Sequence, residues 1–289
     1  MKGLKKIALV SAIAASSSFA QAELKSLDDS AMGDLTGQAG ISIELNTNVD
    51  IGAIVYTDTD TGGKLVMSNI AIGGAGNAYG TSGADVNLDD VLIDIDIAAD
   101  GDAVIDIHHK SGEFPLDFGL DVGQVALVSA DNTENTVLLS GINLDGMIVD
   151  HIAIRVDTAT DTLNINTGFV VMNLEANVDF LAVGVTGGMI GALDTDWTAV
   201  AAATDTAGVV AALAGAGVAT GGVTNKGARV DVTVGTGLNA AGATALQIDV
   251  NEFGADIYMA GITIGGTSIG SVLINDLVVR NTSMVVYGH

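Results

Sequence analysis

Asp94, Asp96 and Asp106 are the side chains whose type and spacing come closest to chemistry. Two alternating runs carry them, Val91-Leu92-Ile93-Asp94-Ile95-Asp96-Ile97 and residues 103–110, on either side of Asp100-Gly101-Asp102. Hard divalent cations take clustered carboxylate oxygens, so adjacent strands that align these acids offer a cation site. A three-residue loop with Ala99 facing Ala103 sets Asp96 opposite Asp106 and Asp94 opposite His108. Like charges directly opposed across strands are unfavourable, and a divalent cation between them offsets that cost. The plainer reading, a solvated acidic face with its carboxylates splayed apart, is favoured. "DTDTGG" at 58–63 lacks the third ligand and the downstream Glu of a calcium loop, so a polar hairpin tip is expected there.

The remaining inventory is thin. His108, His109, His151 and His289 are the only histidines, and His109 falls on the inward face of its hairpin, where an interior role is expected. No serine is expected in a G-x-S-x-G elbow, and neither a phosphate-cradling P-loop nor an H-E-x-x-H zinc pair occurs. With 35 acidic residues in the chain, paired carboxylates discriminate nothing. The expectation is a non-enzymatic protein with no catalytic or cofactor-binding residues. Trp197, the sole tryptophan, is either a partner-binding anchor or a plug between an insertion and the core, and the plug is expected.

Strands must position these side chains. Strict alternation recurs at Ile41–Leu45, Val91–Ile97, Leu116–Val122, Val230–Val234 and Leu246–Val250, the period of strands with one buried and one wet face. Clusters of Gly, Asn, Asp and Thr separate them as turns require. In the hairpin around Asp100-Gly101-Asp102 the three-residue loop keeps every apolar residue on one face, whereas a two-residue loop mixes the faces. A second hairpin pairs Ile152, Ile154 and Val156 with Leu163 and Ile165 around "DTATDT". A weak repeat links 67–74, 139–154 and 259–274, each with a small residue, an apolar-x-apolar triplet and a glycine; it reads as repeated strand–turn–strand units. The fold expected is all-β: an elongated, mainly antiparallel sheet, sandwich or β-roll of repeated hairpins, with a compact barrel as the alternative. Residues 192–227 form an Ala/Gly-rich insertion, and 198–219 within it have helix propensity. Asp205 and the many small residues make that stretch a poor membrane span.

Composition limits the partners. The formal charge is −25, which disfavours nucleic acid, since phosphate affinity comes from Lys and Arg. There is no cysteine, hence no disulfide or thiolate metal site. Aromatics are only 4%, too few for the two aromatic girdles of an outer-membrane barrel. Lys2, Lys5 and Lys6, the apolar run Ile7–Ala15 and Ala20-Gln21-Ala22 read as a secretory signal over 1–22. A single β-rich domain over 23–289 follows.

The start of that domain reads as a capped helix. Ser26 and Asp29 form a capping-box-like pair, Leu27, Ala31 and Leu35 line one side, and Gly37 stops the helix before the strand at 41–45. This segment, with Leu27-Asp28-Asp29 and Thr36-Gly37-Gln38-Ala39-Gly40-Ile41-Ser42-Ile43, resembles the N-termini of the FilA-like pilus-system proteins of Gram-negative bacteria. The ending "MVVYGH" at 284–289 is similar to that group too. The resemblance implies an exported, cell-surface or periplasmic structural or adhesive protein, with envelope or pilus-system proteins as partners and self-association through edge strands. It carries over no site residues. The alternative is a carrier that holds lipid or another apolar ligand in a curled sheet.

Overall fold

The computed structural model describes residues 40–74, 87–112, 115–204, 206–215, 218–220, 223–225 and 227–287. The expected signal over 1–22, the capped helix over 26–37 and His289 lie outside the described residues. All that is described falls in one unit, Gly40–His289.

Strands dominate, as the period-two runs require. A twelve-stranded antiparallel sheet takes in β1 (Gly40–Thr47), β2 (Val49–Thr57), β3 (Lys64–Gly73), β4 (Leu88–Ile97), β5 (Ala103–His109), β6 (Leu116–Val128), β7 (Asn135–Asp157), β8 (Thr162–Val178), β9 (Val183–Gly191), β12 (Ala228–Leu238), β13 (Thr244–Ile264) and β14 (Thr267–Val286). A separate two-stranded ribbon joins β10 (Val218–Thr220) to β11 (Val223–Asn225).

The pairing is simpler than the strand count. β7, β8, β13 and β14 run uninterrupted, while β1 with β2, β3 with β4, β5 with β6, and β9 with β12 are successive parts of four broken paths. The result is an up-and-down meander of eight paths, each hydrogen-bonded to the next along the chain. The breaks line up as a transverse seam, dividing the meander into a half that contains β1, β4, β5 and β12 and a half that contains β2, β3, β6 and β9. No pairing joins β14 to β1 or β2, so among the described residues the sheet ends in two open edges.

In the β1 half the two faces separate by chemistry. One register row reads Ile41, Ile95, Ile105, Ile154, Ile165, Val232, Val250, Thr282 across all eight paths. On the other face the matching row is Ser42, Asp94, Asp106, Ala153, Asn166, Asp231, Glu252, Arg280. The fully buried residues lie elsewhere, at the seam. Val91, Leu116 and Ile148 form one cluster, with Phe118, Ile152 and Phe169 packed on it. Met147, Val170 and Met172 form another with Val200 and Leu213 of the insertion. Outside the seam most side chains of both faces stay part-exposed, and among the described residues no second layer covers this half.

The insertion spans the break between β9 and β12, residues 192–227. It contains α1 (Trp197–Ala202) and α2 (Thr206–Ala214). Asp196 caps α1 by accepting from the backbone N–H groups of Thr198 and Ala199. Gly215, with φ at +64°, follows the end of α2. The base is closed by Ala192 donating to the Leu213 carbonyl at 2.7 Å and Gly227 to that of Ala214 at 2.8 Å.

Two expectations change. The hairpin between β4 and β5 is two residues out of the expected register: Asp94 faces Asp106 and Asp96 faces Val104. The loop closes on residues 99–101, with the Ala98 N–H donating to the Asp102 carbonyl at 2.8 Å and Gly101 at φ +92°. A shift of two preserves the faces, so the alternation was equally compatible with either register. The second hairpin forms between the expected runs, with Ile154 opposite Ile165 and Val156 opposite Leu163. The repeat differs as well: residues 139–154 lie inside unbroken β7, and Gly141 takes φ +56° as a local kink instead of a turn.

Candidate functional site

The acidic row is the first place to look for chemistry. Asp94 and Asp106 stand opposite each other across β4 and β5, and Asp96 lies one outward-facing step nearer the hairpin tip. The Asp94 carboxylate is already engaged: one oxygen accepts from the Ser42 hydroxyl of β1, the other faces His108 Nε2 at 3.0 Å. These bonds, Ser42 first, hold the Asp94 carboxyl below its ordinary value. The Asp94 hydrogen bond, helped by the His109 carbonyl and by the charge of Asp106, raises His108 above its own. When protonated, the His108 imidazole places a positive charge against this carboxylate. Oδ1 of Asp106 is buried without a hydrogen-bond partner. Among the described residues, no three His, Cys, Asp or Glu are placed to hold a metal.

His109 is satisfied, as expected. The Ser111 N–H donates to its Nδ1 at 3.2 Å, which leaves the ring proton on Nε2, 3.6 Å from Asp90. "DTDTGG" is a polar tip, with Asp58 Oδ1 accepting from the Asp60 and Thr61 N–H groups at 2.9 and 2.7 Å. A shallow cleft of about 410 Å³ opens between this tip and the one at 129–134, where Lys64 is held by Asn132 Oδ1 at 2.6 Å. Gly266-Thr267-Ser268-Ile269-Gly270 does match the G-x-S-x-G spacing, contrary to expectation. It turns β13 into β14, strand to strand, so it is not the strand-to-helix elbow that presents a nucleophile.

Three buried carboxylates escape a reading of the alternation. Asp102 accepts from the Thr158 N–H and hydroxyl, both at 2.9 Å, and from Arg155 Nε at 2.7 Å. The Thr158 N–H and then Arg155 hold its carboxyl below the ordinary value, and the contact latches the β4–β5 tip to the β7–β8 tip. Asp256 lies at the seam, accepting from the Asp276 N–H at 2.7 Å. Burial pushes its carboxyl up, and the charges of Asp276 and Asp194 add to that. Burial likewise raises Asp145, with Asp121 and Glu175 nearby. The only sequence signal is position: Asp256 interrupts an apolar stretch, and Asp102 follows the turn glycine. Trp197 packs on the insertion cluster, its ring centroid 5.5 Å from that of Tyr258, in keeping with a plug.

The largest feature is the surface itself. β1, β2 and β14 are exposed along almost their whole length. Ile41 is 64% exposed, Tyr56 65% and Ile269 60%. Natural sheets blunt such edges with charge, proline or bulges. Here the charged residues are Glu44 and Asp50 on one edge and Asp276 and Arg280 on the other. The chain's one proline, Pro115, is on neither.

Comparison with known proteins adds one finding. A family of unknown function, DUF6160, matches residues 1–99, the segment that ends just after β4. No curated protein and no solved structure matches the chain.

Proposed function

We propose that this chain is a non-enzymatic structural protein, exported to the cell surface, which serves a pilus or adhesive system by extending its sheet toward partners. The observation that carries the reading is the pair of long, open, apolar edges on an eight-path meander. An enzyme or small-molecule receptor has no use for such edges, whereas strand addition uses their free backbone groups directly. The leader-like N-terminus and the resemblance to FilA-like pilus-system proteins support the same reading, with envelope or pilus-system proteins as partners. Fractionation of the native host tests it. The protein is expected in sheared-surface or filament fractions, and recovery solely as a soluble periplasmic monomer overturns the proposal.

The aliphatic face favours a second reading. Rows of Ile, Val and Leu, with no covering layer among the described residues, form a surface on which an acyl chain could lie, as a periplasmic or outer-membrane-associated carrier requires. Lipid co-purifying with the native protein, detected by mass spectrometry, would favour this second reading.

A further inference from the structure

We propose that β14 of one copy pairs antiparallel with β1 and β2 of the next copy, so that the meander continues head to tail into an open filament. The inference rests on the structural reading above and names its first partner: a second copy of this chain.

Four observations select that occupant. The meander has an even number of paths, so its first and last run in opposite directions, and apposing them continues the antiparallel order. The two edges are similar in length, and the break at Asn48, between β1 and β2, has a counterpart at Asp276, one of the places where β14 leaves regular pairing with β13. Setting these breaks level places Glu44 opposite Arg280. Both residues lie on the polar face, Glu44 through its pairing with Leu92 beside His108, and Arg280 through Glu252. On the apolar face the same register sets Leu45 against Val279; the match of faces ends at Asn281, φ +53°, where β14 changes phase between Arg280 and Thr282.

Alternative pairings fit less well. Apposing β14 with β14 about a two-fold axis sets the β1 half of one copy beside the β2 half of the other, and the apolar and polar rows no longer continue. Closing β14 onto β1 within one chain uses the same residues, but the sheet is open in this structure. A head-to-tail contact that does not close on itself propagates.

Cysteine cross-linking separates these cases, and a chain without native cysteine is a clean background. Directly opposed residues of an antiparallel pair have Cβ atoms about 4.5–5.5 Å apart, close enough for a disulfide after small adjustment. Full chains bearing Glu44→Cys, Arg280→Cys or both are purified, checked for β-structure by circular dichroism, oxidised, and resolved without reductant. The double variant is expected to give a ladder of oligomers. Mixing the two single variants is expected to give a heterodimer, and neither alone should cross-link. An intramolecular disulfide in monomeric double variant, homodimers from either single variant, or no cross-link at all each overturns the proposal. As a second measure, Arg280→Glu should weaken association seen by sedimentation, and Glu44→Arg combined with Arg280→Glu should restore it; failure of that rescue also counts against the register. These results are read on purified protein, so they stand or fall independently of where the host locates the chain.

Discussion

His108 ties its own hairpin to the first strand of the sheet through Asp94, which also holds Ser42 of β1. Its folded pKa lies above its unfolded value near 6.5, so the pair's contribution is fully present below that pH and is lost as pH rises through the raised value. Asp94 is shifted the other way, and its contribution is lost only in acid, as pH falls through a value below 3.8. Thermal melts of the wild type should therefore drop in Tm between about pH 6 and about pH 9 by more than those of His108→Gln. Equal drops in the two would show that the pair does not anchor β1. Asp102→Ala should remove the latch between two tips and lower Tm by several degrees, whereas Asp96→Ala, on the same hairpin, should leave it nearly unchanged; calorimetry compares them. The alternating acids were legible in sequence, and so was their shared face. Their partners were not, because a two-residue shift leaves every face intact and only the loop's hydrogen bonds to Asp102 decide between registers.

The insertion shows what local propensity does and does not reveal about an element. Its limits, 192 and 227, follow from the loss and return of period-two alternation, and its helices from alanine content. What it covers is a tertiary matter: Leu213, 0% exposed, packs with Val170, Met147 and Met172 of the sheet. Leu213→Ala should cost about 2–5 kcal/mol through lost burial and a residual cavity, seen as a lower urea midpoint. The return to the sheet is equally constrained. Gly227 has φ +78°, and a Cβ there would meet the Phe169 carbonyl oxygen at 2.4 Å. Gly242 has the same φ in open space. Gly242→Ala should lose only the left-handed backbone term, about 1–2 kcal/mol. Gly227→Ala should lose clearly more, since backbone cannot move aside, and equal midpoints for the two would refute that account. The kinks at Asn69 and Gly141, φ +54° and +56°, lay beneath the weak sequence repeat. Sequence marked where they occur, but a turn and a kink share the same residue types.

For the molecule as a whole the opposing forces are charge and sheet extension. Each copy carries a formal charge of −25, and like-charged copies repel over a Debye length of about 10 Å at 0.1 M salt. Head-to-tail pairing adds one opposite-charge pair, Glu44 with Arg280, against that repulsion. An exposed pair of this kind contributes only about 0–1 kcal/mol, and Arg280 already lies 3.5 Å from Glu252. Backbone hydrogen bonds and apolar rows along the two edges must therefore supply the attraction, and salt screens neither. Raising NaCl from about 20 mM to about 500 mM shortens the Debye length severalfold and should strengthen assembly, with larger species in sedimentation velocity at fixed protein concentration. Assembly that weakens with salt would mean that ion pairs dominate the contact, and extension of the sheet would not be what joins the copies.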